Sequence, residues 1–326
     1  MLVYYIMSFD SELTKLINSK RNIRETSLKA YISNLNKLLS MNDDEKTIPN
    51  LNSLLKNPEK VIDLLNERKN STIRNYLASI VVYVNTLDDE ELLKKYRELM
   101  EEFGKEYVNH LKENNKSPNQ DKNWTSLKSL NDVLKDYKKQ IDKQGLLKKD
   151  ELTKKEMDLL QKYVVGMLYI GDEANPPLRN DYIMEIISES DYKRLSEAEK
   201  KKKNYLVVKN RNTKYFSIGE YKTSGKYGIK EFPIGKTLNK VLNYWLKYNK
   251  SKHLLLNSKN EPMSANGLTK YIQKVFEPTG KKIGASMLRH IYITEKINPM
   301  TKQQKELADK MLHSTGVQQG VYNKDD

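Results

Sequence analysis

The sequence predicts a mainly α-helical protein with one small antiparallel β-sheet, divided into two domains. Three observations carry that prediction. Apolar residues recur at helical spacing along most of the chain. Strand character is confined to three short runs between positions 205 and 234. A polar, proline-bearing stretch at 112–122 (KENNKSPNQDK) has no apolar period and reads as a linker. The length of 326 residues suits two cores of ordinary size.

Taken in order, Thr26-Ser27 reads as the cap of a first helix whose Leu28, Tyr31, Ile32, Leu35, Leu38 and Leu39 line one face. Ser71-Thr72 opens a similar unit, with Ile73, Tyr76, Leu77, Ile80, Val81 and Val84. Between them lies a polar stretch with Pro49 and Pro58, and a third helix is expected over 90–112. The acidic runs Asp43-Asp44-Glu45 and Asp88-Asp89-Glu90-Glu91 read as solvated helix starts that complement the helix dipole rather than as metal ligands. The linker places domains at 1–116 and 117–326.

Beyond it, helices are expected over 126–143 and 153–170, the latter with Leu159, Leu160, Val164 and Leu168. The strand runs are Tyr205-Leu206-Val207-Val208, Tyr215-Phe216-Ser217-Ile218 and Ile229-Lys230-Glu231-Phe232-Pro233-Ile234. Turn-prone Asn210-Arg211-Asn212 and Ser224-Gly225-Lys226 separate them, which predicts about three antiparallel strands. Helices follow at Lys236–Tyr248, 264–276, 285–296 and 302–312.

With 58 Lys+Arg against 43 Asp+Glu the chain carries +15, which favours a polyanionic partner. No stretch approaches the roughly 18 consecutive apolar residues of a spanning helix, so nucleic acid is expected before membrane. The apolar start, Met1 to Met7, lacks a basic leader and a cleavage site, which predicts an intracellular protein that is not secreted. Cysteine is absent, and with it disulfides and thiolate metal sites. Abundant Lys, Asn, Ile and Tyr fit an AT-rich genome such as that of a large DNA virus or mobile element.

One ordered set of residues carries chemistry. Arg179 follows Pro176-Pro177, where the chain is expected to re-enter a helix. Lys222 stands at the entrance to an expected tight hairpin, with Lys226 beyond it. Arg289 lies in a helix flanked by apolar Met287, Leu288 and Ile291, with Ser286 one turn earlier on its face and His290 beside it. His313 closes the next helix, and Tyr322 follows after Gly316 and Gly320, where the chain is free to bend. The run Lys200, Lys201, Lys202, Lys203 is most simply a solvated loop, and DNA-backbone contact is its functional alternative.

The order Arg179, Lys222, Arg289, His313, Tyr322 resembles the tyrosine recombinases, also called phage-type integrases, from about Ser126 onward. The N-terminal helices resemble that family's core-binding domain. The resemblance implies a two-domain clamp on double-stranded DNA and a homo-oligomer, with a tetramer on paired sites as the family's expectation. It implies no cofactor and no metal. Tyr322 would be the nucleophile, Arg179 and Arg289 the phosphate-binding pair, Lys222 the general acid, and His313 a further phosphate or proton contact. Ser286 departs from the family's usual histidine, with His290 as a possible substitute. Tyr182 stands where the family has glutamate, with Asp181 beside it, and only four residues follow Tyr322. The residues leave open a type IB topoisomerase and a DNA-binding relative without catalysis.

Overall fold

The computed structural model describes residues 8–21, 23–113, 116–171 and 175–310. The chain forms two compact units, Met1–Asn115 and Lys116–Asp326. In the first, every described element is a helix: α1 (Phe9–Lys20), α2 (Glu25–Met41), α3 (Ile48–Leu55), α4 (Pro58–Leu65), α5 (Asn70–Val84) and α6 (Glu90–Glu113). Most of the two predicted apolar stripes is buried: Leu28, Ile32, Leu35, Leu38 and Leu39 of α2 meet Ile73, Tyr76, Leu77, Ile80 and Val84 of α5 in one core, while Tyr31 and Val81 are half-buried.

The helix starts differ from expectation. Both α2 and α5 begin one residue before the Thr26-Ser27 and Ser71-Thr72 pairs, and neither has a side-chain cap. The stretch around Pro49 and Pro58 is helical, because both prolines fall in a first turn, where a missing N–H costs nothing. Thr47 and Asn57 cap those helices, accepting from Asn50 N at 3.3 Å and Lys60 N at 3.1 Å. Of the acidic runs, the second opens α6, with Asp89 accepting from Leu92 N at 3.0 Å. The first instead follows the end of α2, with Asp43 at φ 55°. Tyr83 and Tyr96 pin α3 by donating to Asn52 Oδ1 and Leu55 O, each at 2.8 Å.

The second unit contains α7 (Pro118–Asn123), α8 (Leu127–Lys143), α9 (Lys154–Ile170), β1 (Glu185–Ser188), α10 (Glu189–Arg194), α11 (Glu197–Lys201), β2 (Asn204–Val208), β3 (Lys214–Ile218), α12 (Ser224–Tyr227), β4 (Lys230–Pro233), α13 (Lys236–Tyr248), α14 (Ala265–Val275) and α15 (Ala285–Lys310). Half of the expected linker is thus helix, because Ser117 and Gln120 form a reciprocal capping box at the start of α7. The helices expected at 285–296 and 302–312 are one helix, α15, that runs through Pro299. A proline forfeits one backbone bond, and the turns on either side keep theirs.

The sheet is mixed and four-stranded, in the order β1-β2-β3-β4, where three antiparallel strands were expected. The expected three pair as predicted, β2 with β3 and β3 with β4, while β1 joins β2 in parallel. Alternation sorts the side chains. Leu206, Phe216 and Ile218 enter the large core with Val164, Leu168, Leu242, Trp245 and Leu288. Tyr205, Val207 and Tyr215 pack with Tyr192 of α10 on the other face. Helix α9 is the hub, packed against α8, α13, α14 and α15.

Beneath the β2–β3 turn lies a buried cation. Lys214 donates from Nζ to Arg211 O at 2.8 Å, Asn239 Oδ1 at 2.9 Å and Asn243 Oδ1 at 2.6 Å. Burial, and then the charge of Arg211, lower its pKa below the ordinary 10.5. The folded chain therefore holds that proton less tightly than the unfolded chain, and stability increases as pH rises from below the folded pKa towards 10.5. Lys214→Met is expected to lack that increase. At neutral pH it is expected to lose about 2 kcal/mol, because orphaned acceptors outweigh the removed charge. Urea unfolding of the full chain at several pH values measures both effects.

Candidate functional site

Arg179 does not enter a helix. The chain from Asn175 crosses an irregular turn and passes into β1. That turn is fixed by side chains: Asn175 donates to Pro233 O at 3.0 Å and accepts from Gly235 N at 2.9 Å. Tyr169, at the end of α9, donates to Arg179 O at 2.6 Å. Tyr182 donates to Leu168 O at 2.7 Å and packs edge-on against Tyr169 and Phe216, with ring centroids at 5.1 and 5.5 Å. The backbone of Arg179 is thus clamped to the core while its side chain is exposed.

Arg289 comes from the other end of the unit, on α15, which packs against α9. It lies in the second turn of α15, where buried Met287, Leu288 and Ile291 lock one face into the core. Arg289 itself is half-buried, and Ser286, three residues earlier, shares its face. Ser286 and His290 are both exposed.

Asp181 senses the charge of both arginines. Its Oδ2 accepts from Arg179 N at 3.2 Å. Burial raises its pKa above the ordinary 3.8, opposed by that hydrogen bond and by the charges of both Arg179 and Arg289. Two guanidinium groups from distant segments therefore bear on one carboxylate. Tyr182, at the position where a glutamate was compared, is a fully buried ring; the acidic group beside the arginines is Asp181. Among the described residues neither guanidinium forms a direct ion pair with a carboxylate.

Lys222 sits in a longer connection than a tight hairpin. Between β3 and β4 the chain runs from Gly219 to Ile229 and includes α12. Tyr221 donates to Gly228 O at 2.8 Å and closes this loop around the exposed Lys222. Lys226, also exposed, lies over the Tyr227 ring at 5.2 Å. In the lysine run, Lys200 pairs with Glu197 at 3.0 Å and covers the Tyr192 ring at 5.1 Å. Lys203 pairs with Glu185 at 2.7 Å. Two of the four thus have partners within the fold, and Lys201 and Lys202 are exposed. His313 and Tyr322 lie outside the described residues.

Sequence reasoning missed Asn204. This buried amide opens β2 and ties the Arg179 turn to the Lys222 loop. Its only signal in the sequence is a polar amide at the head of the apolar run Tyr205 to Val208. Among the described residues no group of three His, Asp or Glu side chains is placed to hold a metal ion, and no helix is long and apolar enough to cross a membrane.

No family model matches the chain, and no curated protein matches it. The chain is similar to a solved structure described as the crystal structure of XerA recombinase. That match has 12% identity, covers 98% of this chain and 94% of that chain, and has a TM-score of 0.31.

Proposed function

We propose that this protein cuts and rejoins double-stranded DNA through a 3′-phosphotyrosyl intermediate, as a site-specific recombinase of the tyrosine type. One observation carries the reading: Arg179, whose carbonyl is held by Tyr169 at the end of α9, and Arg289, on α15 packed against α9, are set on one helix hub in the unit that also presents Lys222. Guanidinium forks match the oxygens of a phosphodiester and stay charged at any working pH. The excess of 58 basic over 43 acidic residues supplies attraction to the duplex.

In this reading Tyr322 Oη attacks the scissile phosphorus while the bond to the 5′-oxygen breaks. Lys222 gives that leaving oxygen its proton, a general-acid contribution of about 10²–10⁴-fold. Arg179 and Arg289 hold the non-bridging oxygens, and His313 adds a hydrogen bond or takes the tyrosine proton. A 5′-hydroxyl of another strand then displaces the tyrosine. One phosphoester is exchanged for another at each step, so no nucleotide triphosphate is consumed. The exposed Lys201, Lys202 and Lys226 are suited to backbone contacts; Lys200 and Lys203 must first leave their carboxylate partners. The all-helical described part of the first unit favours a recombinase's DNA-gripping bundle over the strand-rich lobe of a compact type IB topoisomerase. Insertion of a mobile genome, by copies assembled on paired sites, is the use this chemistry fits.

A second reading, a DNA-binding relative without catalysis, draws on Ser286, whose hydroxyl brings no charge to the phosphate. The full chain, a nicked duplex selected by binding from a random library, and excess chelator separate the two. An SDS-resistant adduct carrying nucleotide on the peptide that contains Tyr322 is expected. No adduct on the selected duplex favours the inert binder.

A further inference from the structure

Antiparallel pairing of β2 and β3 brings Asn204 opposite Ile218. Two residues further along, Glu220 lies beyond the end of that ladder, because the chain preceding β2 has turned away through α11. The Asn204 side chain extends the ladder in the strand's place. Its Oδ1 accepts from Glu220 N at 2.8 Å and its Nδ2 donates to Glu220 O at 3.0 Å, the paired bonds that a backbone peptide would make. The second Nδ2 proton goes to Asp181 O at 3.1 Å, so both donors of the amide are used. Asn204 is 7% exposed, which leaves water little access to this bracket.

Gly219 closes the other side. A Cβ there would meet Lys200 O at 1.9 Å and Lys203 O at 2.7 Å, so only glycine lets the strand end approach the last turn of α11 and the residues after it. The path of the chain into Lys222 is thus held between an amide that reaches the arginine turn and a backbone contact that tolerates no side chain.

We infer that Asn204 is a positioning residue for the general acid: it holds the Lys222 loop in register with the backbone between Arg179 and the β1 strand. This rests on the strand-transfer reading above. The amide touches no DNA. It fixes where the ammonium stands relative to the phosphate that the arginines hold, and misplacement of about 1 Å can cost about 10²-fold.

The signature is specific to proton delivery. With a 5′-oxygen leaving group, cleavage breaks the P–O bond and needs the proton of Lys222. With sulfur in that bridging position the P–S bond breaks and the thiolate departs without one. The scissile position is first mapped with the parent on the all-oxygen nicked duplex, and sulfur is then placed there. Asn204→Asp, which keeps the acceptor but lacks both donors, and Asn204→Leu are expected to slow adduct formation about 10²-fold on oxygen. On sulfur they are expected to stay within about threefold of the parent, as Lys222→Ala should. Gly219→Ala displaces the same loop without touching the amide, and the same pattern is expected from it. Equal losses on oxygen and sulfur, or no loss on oxygen, in variants that melt as the parent does would overturn the inference. A parent that forms no adduct on either substrate sinks the strand-transfer reading itself, and the role of Asn204 with it.

Discussion

Tyr322→Phe is expected to abolish the covalent adduct completely while leaving duplex affinity within about twofold, since the ring remains and only the nucleophile is lost. The chain holds 21 tyrosines, and the buried ones make poor substitutes. A nucleophilic phenol must lose its proton, yet burial pushes Tyr83, Tyr137 and Tyr192 up to about 12. Tyr137 and Tyr182 already donate to Val275 O and Leu168 O, each at 2.7 Å, and Tyr271 to Asp158 Oδ1 at 2.9 Å. Each is a structural hydroxyl whose proton has a fixed acceptor inside the fold. Residual adduct in Tyr322→Phe at the parent's level would transfer the role to another tyrosine, which peptide mapping of the adduct would then identify.

Local patterns in the sequence were enough for the long amphipathic helices and for the three antiparallel strands, because apolar periodicity reports which face is buried; the short helices α1, α3, α4, α7, α10, α11 and α12 carry too few periods to be read. The stripes of α2 and α5 and the limits of α13 follow from such spacing. Helix starts were less legible: Thr26 and Ser71 look like caps, yet each helix begins earlier on a residue whose side chain caps nothing. The parallel strand β1 escaped notice because four residues, Glu185 to Ser188, carry little pattern. Its pairing with β2 requires a crossover through α10 and α11 that no local rule announces.

The same distinction runs through the site. Arg179, Lys222 and Arg289 stand out in the sequence as an ordered set of cationic residues. Their support does not. Asp181 reads in the sequence as a neighbour of a displaced glutamate, and only the folded turn brings its carboxyl to Arg179 N and under the charge of both arginines. The bracket of Asn204 joins residues 181, 204 and 220, three segments whose proximity is a property of the sheet.

Arg289→Ala is expected to slow single-turnover adduct formation by about 10²–10³-fold, about 3–4 kcal/mol of barrier, as loss of one preorganised donor to a developing oxyanion does elsewhere. Arg289→Lys should recover only part of this, because an ammonium keeps the charge and loses the two-point fork. A substrate with a methyl group in place of one charged oxygen of the scissile phosphate supplies the control. If Arg289 acts by neutralising that oxygen, the deficit of Arg289→Ala should shrink on the uncharged substrate; an undiminished deficit would reduce the arginine to a structural role. Asp181 adds a consequence in stability. Its raised pKa means that the folded chain binds its proton more tightly than the unfolded chain, so this group costs stability as pH rises from below 3.8 through the folded value. Arg289 lowers that cost by its charge. Removing it should therefore steepen the fall of stability over that range, and Asp181→Asn in the same chain should flatten it. Urea midpoints in the acid range measure both slopes, and identical slopes in Arg289→Ala and the parent would show that the arginine and the carboxylate do not act on each other.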